Sequence, residues 1–278
     1  MNTTTKNENR DDRASSPQNT IARLKQDFCD KFDKLAYSRS HFEVFRDWAE
    51  VAAITMHNRP YHFSHLPKDE CFETLEARYL KLVAKYDRET LDEFSTLLNI
   101  AIIALNFKWG DFLGEIYTEM EIGGKRSRQA KGEFFTPYPV AQLTAKTTLL
   151  GCEAVIERQG YLTISEPACG AGSMLIAACE VIADKGYELE KVMFFEAVDI
   201  NPLCCHMAFV QFSCLNLPGI VCHGNTLTNE FQERWETATF KIWRSLTRRN
   251  PFGNMENTDN EPTTLKTKDG TVQLGLFK

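Results

Sequence analysis

The chain has no apolar run near the roughly 18–20 residues that a membrane-spanning helix needs. Its longest candidate, Leu97 to Phe107, is interrupted by Asn99 and Asn106. No role in a membrane is expected. The N-terminus carries no apolar h-region, which argues against a secretory leader. Cysteine is plentiful at nine residues, yet the spacings of a disulfide framework or zinc module are missing. Cys179, Cys204, Cys205 and Cys214 fall within apolar helical runs, so reduced, buried thiols and a cytoplasmic location are expected. Cys204-Cys205-His206 is no metal site on this reading, because adjacent helical side chains diverge by about 100° and cannot share a tetrahedral ion. His57, His62 and His65 read as a proline-bounded surface loop. Basic charge is also in short supply, with 32 Lys and Arg against 38 Asp and Glu and a net charge of −6. That excludes a general nucleic-acid coat but leaves room for a local groove. Two basic clusters stand out of the acidic background, one at Lys125, Arg126, Arg128 and Lys131 and one at Arg244, Arg248 and Arg249.

What is present is a chain in four parts. Residues 1–19 are polar and read as a disordered arm. Residues 20–124 are helical in period: Ile21, Leu24, Phe28, Phe32 and Leu35 share one face, and Phe42, Phe45, Trp48, Val51 and Ala52 repeat the pattern. Residues 125–250 change character. Short apolar strands at 161–165, 192–198 and 219–222 alternate with apolar helices at 173–184 and 202–215, the signature of a parallel, doubly wound α/β sheet. Phe231 to Leu246 is amphipathic and reads as helix. Residues 251–278 are a polar tail, within which Thr271 to Phe277 alternates like one edge strand.

The most informative stretch is Glu166-Pro167-Ala168-Cys169-Gly170-Ala171-Gly172-Ser173. A strand, a Gly-x-Gly turn and a helix let backbone approach a nucleotide-like ligand closely. A dinucleotide fingerprint would place a third glycine where Leu175 stands, which disfavours hydride chemistry. The turn points instead to a nucleoside without pyrophosphate, such as S-adenosylmethionine. Thr136 and Pro137 read as the N-cap and first position of a helix. Asp199, where an apolar strand ends, is placed to accept both hydroxyls of a ribose. Asn225 follows the third strand, where its amide could meet an adenine edge.

Gly132-Glu133-Phe134-Phe135-Thr136-Pro137, followed by the Glu-Pro-Ala-Cys-Gly-Ala-Gly-Ser stretch, resembles the adenine-N6 DNA methyltransferases of the type I modification-subunit kind, with a length nearer the short methylase-like proteins of phages and plasmids. The resemblance covers about residues 110–227. It implies a Rossmann-like S-adenosylmethionine-dependent methyltransferase fold with an N-terminal helical domain, double-stranded DNA as substrate and a second subunit as an available partner. It also implies that Phe135, Thr136 and Pro137 line the methionine side of the cofactor, that Glu166, Ala168, Gly170 and Gly172 surround its amino-acid end, that Asp199 holds the ribose and that Asn225 stands near the adenine. Each basic cluster reads from its charge either as a solvated face or as phosphate contacts, and on the second reading Lys125, Arg126, Arg128 and Lys131 would meet DNA. The family carries an Asn/Asp-Pro-Pro-Tyr/Phe motif after the fourth strand that holds the target amino group and stacks on the flipped base. Asn250, Pro251 and Phe252 are its only counterpart here, without the second proline, and the strands of a complete sheet lack sequence to form them. Two functions follow from the resemblance: methyl transfer to adenine N6 in DNA, or cofactor binding by a non-catalytic partner of a modification system.

Overall fold

The structure, a computed structural model, describes residues 17–37, 39–63, 68–122, 134–252 and 271–273. Helices α1 (Pro17–Leu35), α2 (His41–Phe63), α3 (Glu70–Val83), α4 (Arg88–Phe107) and α5 (Phe112–Glu119) come first, as the apolar periods predict. Aspartates start three of them: Asp69, Asp87 and Asp111 each accept a backbone N–H of the first turn with the side chain, the standard way to satisfy orphan donors. Two expectations need correction. Residues 17–19 of the expected arm belong to α1, while 1–16 lie outside the described residues. The proline-bounded loop is in fact the end of α2, which runs through Pro60 and buries His57; His65 lies outside the described residues.

Helix α4 also departs from the sequence reading. Over its 20 residues it is long and apolar enough to cross a membrane, at a mean hydropathy of 1.2. Buried core helices meet the same criterion. Here Phe94, Leu97, Ile100, Ala101, Ala104 and Leu105 form its buried stripe within the protein core.

The second half follows as α6 (Tyr138–Thr148), α7 (Cys152–Gln159), β1 (Leu162–Glu166), α8 (Ser173–Asp184), α9 (Leu189–Val192), β2 (Met193–Asp199), α10 (Pro202–Cys214), β3 (Gly219–Asn225), β4 (Glu230–Glu236), α11 (Ala238–Thr247) and β5 (Thr271–Gln273). The sheet order is β4-β3-β2-β1-β5. Strands β3, β2, β1 and β5 are parallel, and β4 returns antiparallel to β3. Residues 231–246 are therefore half strand and half helix, not one helix. The period-2 run Phe231-Gln232-Glu233-Arg234-Trp235 alternates partly buried and exposed positions, as a half-buried edge strand should. The alternating segment near the C-terminus does form an edge strand, over Thr271–Gln273.

Both faces of the sheet are covered. Phe195 meets Phe212 of α10 on one face, while Phe194 meets Phe240 and Trp243 of α11 on the other. Consecutive residues of β2 thus feed two separate cores, which explains why the strand is apolar at nearly every position. On the α10 face a single cluster of buried side chains runs from Phe28 in α1 to Trp235 in β4. The N-terminal helices are a layer on this sheet. Trp48 sits at its centre, fully buried, with its indole N–H donated to the Phe94 carbonyl at 3.1 Å. Each such aromatic contributes about 1.5–3 kcal/mol by burial.

Candidate functional site

Strand β1 has β2 on one flank and β5 on the other, so the crossover direction changes beside it. In open α/β sheets the crevice at such a switch point, outside the carboxyl ends of the strands, is where ligands bind. The glycine turn leaves β1 at this place. Pairing of Glu166 with Ala197 and of Asp199 with His223 sets the ends of the three central strands side by side.

The turn is held by named bonds. The Cys169 N–H donates to the Val198 carbonyl at 2.8 Å, and the Gly170 N–H donates to Asp199 Oδ2 at 2.8 Å. Asp199 Oδ1 accepts the Asn201 N–H at 2.8 Å. Asp199 thus ties the glycine turn to the start of the next helix through both of its carboxylate oxygens. Gly170 has φ +55°, and a Cβ there would stand 3.4 Å from the Phe135 ring, which covers the turn. Gly172 answers a different need. Its φ is +99°, and a Cβ would lie 2.6 Å from the Phe212 ring. It is a packing glycine that lets α8 start against α10.

Glu166 is almost fully buried, 3% exposed. Its Oε1 accepts the Ala168 N–H at 3.2 Å, while Oε2 has no hydrogen-bond partner among the described residues. Burial pushes its carboxyl up to about 7, opposed by the Ala168 N–H and reinforced by the charge on Asp199. A buried acceptor without a donor is costly. Together with Asp199 it makes a crevice suited to a ligand rich in donors or positive charge, and one that repels pyrophosphate. Cys169 beside them is buried, with its thiol driven well above the ordinary range by burial, so it packs as a small side chain.

The Phe134–Pro137 segment lies against the turn. Phe135 packs edge-on to Tyr117 of α5 at 5.5 Å, and the Thr136 carbonyl accepts the Ser173 hydroxyl at 3.1 Å. Pro137, not Thr136, is the N-cap of α6, with Pro139 in its first turn; proline is favoured there because its missing N–H is not needed. Asn225 also differs from expectation. Its Oδ1 accepts the Leu227 N–H at 2.9 Å and the Thr228 N–H at 3.4 Å, closing a turn. The oxygen expected to face an adenine is thus engaged, leaving the amide N–H₂ as the group it could offer. The neighbouring Thr226 hydroxyl ties this turn to the Pro167 carbonyl at 2.8 Å.

Asn250, Pro251 and Phe252 fall elsewhere. Asn250 Oδ1 accepts the Phe252 N–H at 3.1 Å, and the Phe252 ring packs on Phe240 at 5.9 Å in the small core that also holds Phe194. Phe194 is the second residue of β2 and Asp199 its last, about 16 Å away along a strand. The tripeptide closes a turn after α11, with its aromatic ring partly buried against the small core. Lys125, Arg126, Arg128 and Lys131 lie outside the described residues.

Three contributors escape the sequence reading. Gln211 of α10, fully buried, donates to Asp111 Oδ1 at 2.9 Å and to the Ala171 carbonyl at 2.7 Å, and accepts the Leu113 N–H at 3.0 Å. It joins the helical layer to the glycine turn. The lone amide inside an apolar helix was the available signal. Phe212, its neighbour, forms the wall that requires Gly172. Ile200, directly after Asp199, is 68% exposed, an apolar surface at the crevice that a strand-to-helix boundary conceals.

An α/β sheet with a glycine turn at its switch point and an acid ending the next strand defines a Rossmann-like architecture. Residues 108–263 match the family model of N-6 DNA methylases, and the chain belongs to that family. Among solved structures it is similar to a protein of Listeria monocytogenes assigned to the class I S-adenosylmethionine-dependent methyltransferases, at 19% identity and TM-score 0.36 over 72% of this chain and 53% of that one. It is similar also to the methyltransferase subunit of a type I restriction-modification system from Streptococcus thermophilus, at 13% identity and TM-score 0.35 over 77% of this chain and 59% of that one. The chain thus spans between 53% and 59% of the length of these two structures.

Proposed function

We propose that the chain binds S-adenosylmethionine in the crevice beyond β1 and β2 and serves methyl transfer to adenine N6 in double-stranded DNA. The observation that carries this reading is the unpartnered Glu166 Oε2 next to the Asp199–Gly170 bond. In this assignment Glu166, once ionised, accepts the ammonium of the methionine moiety, and Asp199 accepts the ribose hydroxyls. Gly170 keeps backbone close to the ligand, and Phe135, held through Tyr117 and the Thr136–Ser173 bond, excludes water from one side. When bound, the cofactor supplies an activated methyl on a positively charged sulfur, which the two acids suit electrostatically.

A second reading is favoured by one specific observation: Phe252 packs against the small core and Asn250 closes a turn. On this reading the chain holds the cofactor while the amino-group site comes from another subunit of a modification system, or the chain regulates such a system without transferring methyl. Calorimetry with S-adenosylmethionine tests the cofactor assignment, and tritiated methyl transfer to unmethylated duplex DNA separates the two readings. Binding with transfer supports the first, binding without transfer the second, and failure to bind at millimolar cofactor removes both.

A further inference from the structure

A second cavity, of about 470 Å³, lies between α2, the start of α3, β4 and α11, and none of the glycine-turn residues lines it. A connected chain of hydrogen bonds runs through its wall to Lys241. Glu76 accepts the Asn58 amide N–H at 3.0 Å, and Asn58 Oδ1 faces His57 Nδ1 at 2.9 Å. An amide oxygen can only accept, so Nδ1 carries the ring proton and Nε2 is the acceptor. Lys241 Nζ donates to that Nε2 at 2.9 Å. From the other side the Tyr61 hydroxyl donates to Asp69 at 2.9 Å and accepts from Lys241 at 3.2 Å.

Lys241 therefore meets two neutral acceptors, Tyr61 fixed directly by the Asp69 carboxylate and His57 fixed through Asn58 by that of Glu76. Burial and the Lys241 charge push His57 down to about 4, which keeps the ring neutral. An ammonium has three N–H donors, and these contacts occupy two. Among the described residues no carboxylate comes within ion-pair distance of Lys241. The nearby Glu236 is held by Arg244 at 2.7 Å and Arg234 at 3.6 Å. Pro60, Ala238, Ile242 and Leu246 supply apolar wall, and Leu246 is 80% exposed. The volume lies in the range of roughly 300–1,000 Å³ that suits small-molecule sites.

We propose that this cavity binds a small organic anion, a carboxylate or phosphate monoester on an apolar body, with Lys241 holding the anionic head and Ile242, Leu246 and Pro60 receiving the rest. A cation with an uncommitted donor at the base of an apolar wall matches an amphipathic acid better than an inorganic ion, which would leave the wall in water. The site spans the helical layer and the β4–α11 unit, independently of the cofactor crevice.

Calorimetric titration of the full chain with 3-phenylpropionate, phenyl phosphate and the neutral 3-phenylpropanol tests this. The expected result is saturable binding of at least one of the two acids with Kd below about 1 mM, with the alcohol at least about tenfold weaker. Whichever acid binds more tightly identifies the head group. Lys241→Gln should remove the preference for acid while leaving the alcohol unchanged, and Leu246→Ser should weaken acid and alcohol alike. Equal affinity for acid and alcohol, or no saturable binding of either acid, overturns the proposal. Because that comparison is made on the unmodified chain, it decides the matter even if Lys241→Gln does not fold.

Discussion

Gly170 donates its backbone N–H to Asp199 across the gap between two strand ends, at 2.8 Å. One carboxylate thus shapes the turn and joins the ends of β1 and β2. Asp199→Ala should weaken S-adenosylmethionine binding by at least about 1.5 kcal/mol, since bonds to a charged acceptor are lost and the turn loses its tether. Asp199→Asn, which keeps one acceptor oxygen, should lose less. Calorimetric affinities of the two variants that match the parent would remove Asp199 from the site.

Gly172 makes a prediction of stability and not of binding. Gly172→Ala places a Cβ at φ +99° and 2.6 Å from the Phe212 ring, adding backbone strain of about 1–2 kcal/mol to overpacking of about 1–3 kcal/mol. Urea denaturation should show a loss of at least about 2 kcal/mol, partly restored by Phe212→Leu. A loss under about 0.5 kcal/mol, the scale of an ordinary surface change, would contradict the packing.

Glu166 predicts a pH dependence. Its carboxyl is raised from 4.5 to about 7 in the fold, so between those values the folded state holds the proton more tightly than the unfolded chain. Its contribution therefore favours folding at low pH, declines as pH rises from 4.5 to 7 and is flat above. Glu166→Gln should raise the melting temperature at pH 8 relative to the parent and bring less benefit near pH 4. Cofactor binding runs the other way: an ammonium ligand needs the ionised form, so affinity should climb with pH up to about 7, with a proton released on binding. Calorimetry at pH 6 in buffers of different ionisation enthalpy reads that proton directly; its absence would refute the pairing.

Gln211→Leu removes three bonds at once and leaves the Ala171 carbonyl, the Leu113 N–H and part of the Asp111 carboxyl without partners. Buried groups stripped of partners cost about 1–3 kcal/mol each, so a loss near 3 kcal/mol or more in chemical denaturation is expected. An unchanged midpoint would mean that water replaces the amide.

Asn250→Ala should leave cofactor affinity unchanged and cost about 1 kcal/mol of stability through the lost turn bond. Phe252→Ala should cost more by exposing the Phe240 core. If Asn250→Ala instead abolishes methyl transfer with stability intact, the turn reading gives way to the catalytic one.

Much of the architecture was legible in the residues. The apolar periods of 21–107 located the helices, and the strand–turn–helix alternation located the parallel sheet. The motif order also brought Phe135, Glu166, Gly170 and Asp199 to one edge. What escaped has physical reasons. β4 and α11 share one amphipathic stretch, and seven strand residues with a single turn residue between elements leave little for periodicity to separate. The α2 helix continues through Pro60 because tertiary burial of His57 and Tyr61 outweighs one lost backbone bond. Asn250-Pro251-Phe252 stood out only as a counterpart of the family's motif without its second proline; in the fold Asn250 closes a turn and Phe252 packs on Phe240. The role of Gln211 rests on groups a hundred positions apart in the chain, beyond the reach of local pattern.

The unbroken apolar seam from Phe28 to Trp235 carries a consequence for inheritance. A recombination joint placed between the two halves would mate surfaces shaped by different histories, and Gln211 would meet a foreign residue where Asp111 stood. Lineages built on this plan should therefore exchange the first 122 residues and the sheet together, or change both sides in step. Their variation should collect instead on exposed faces away from both that seam and the crevice.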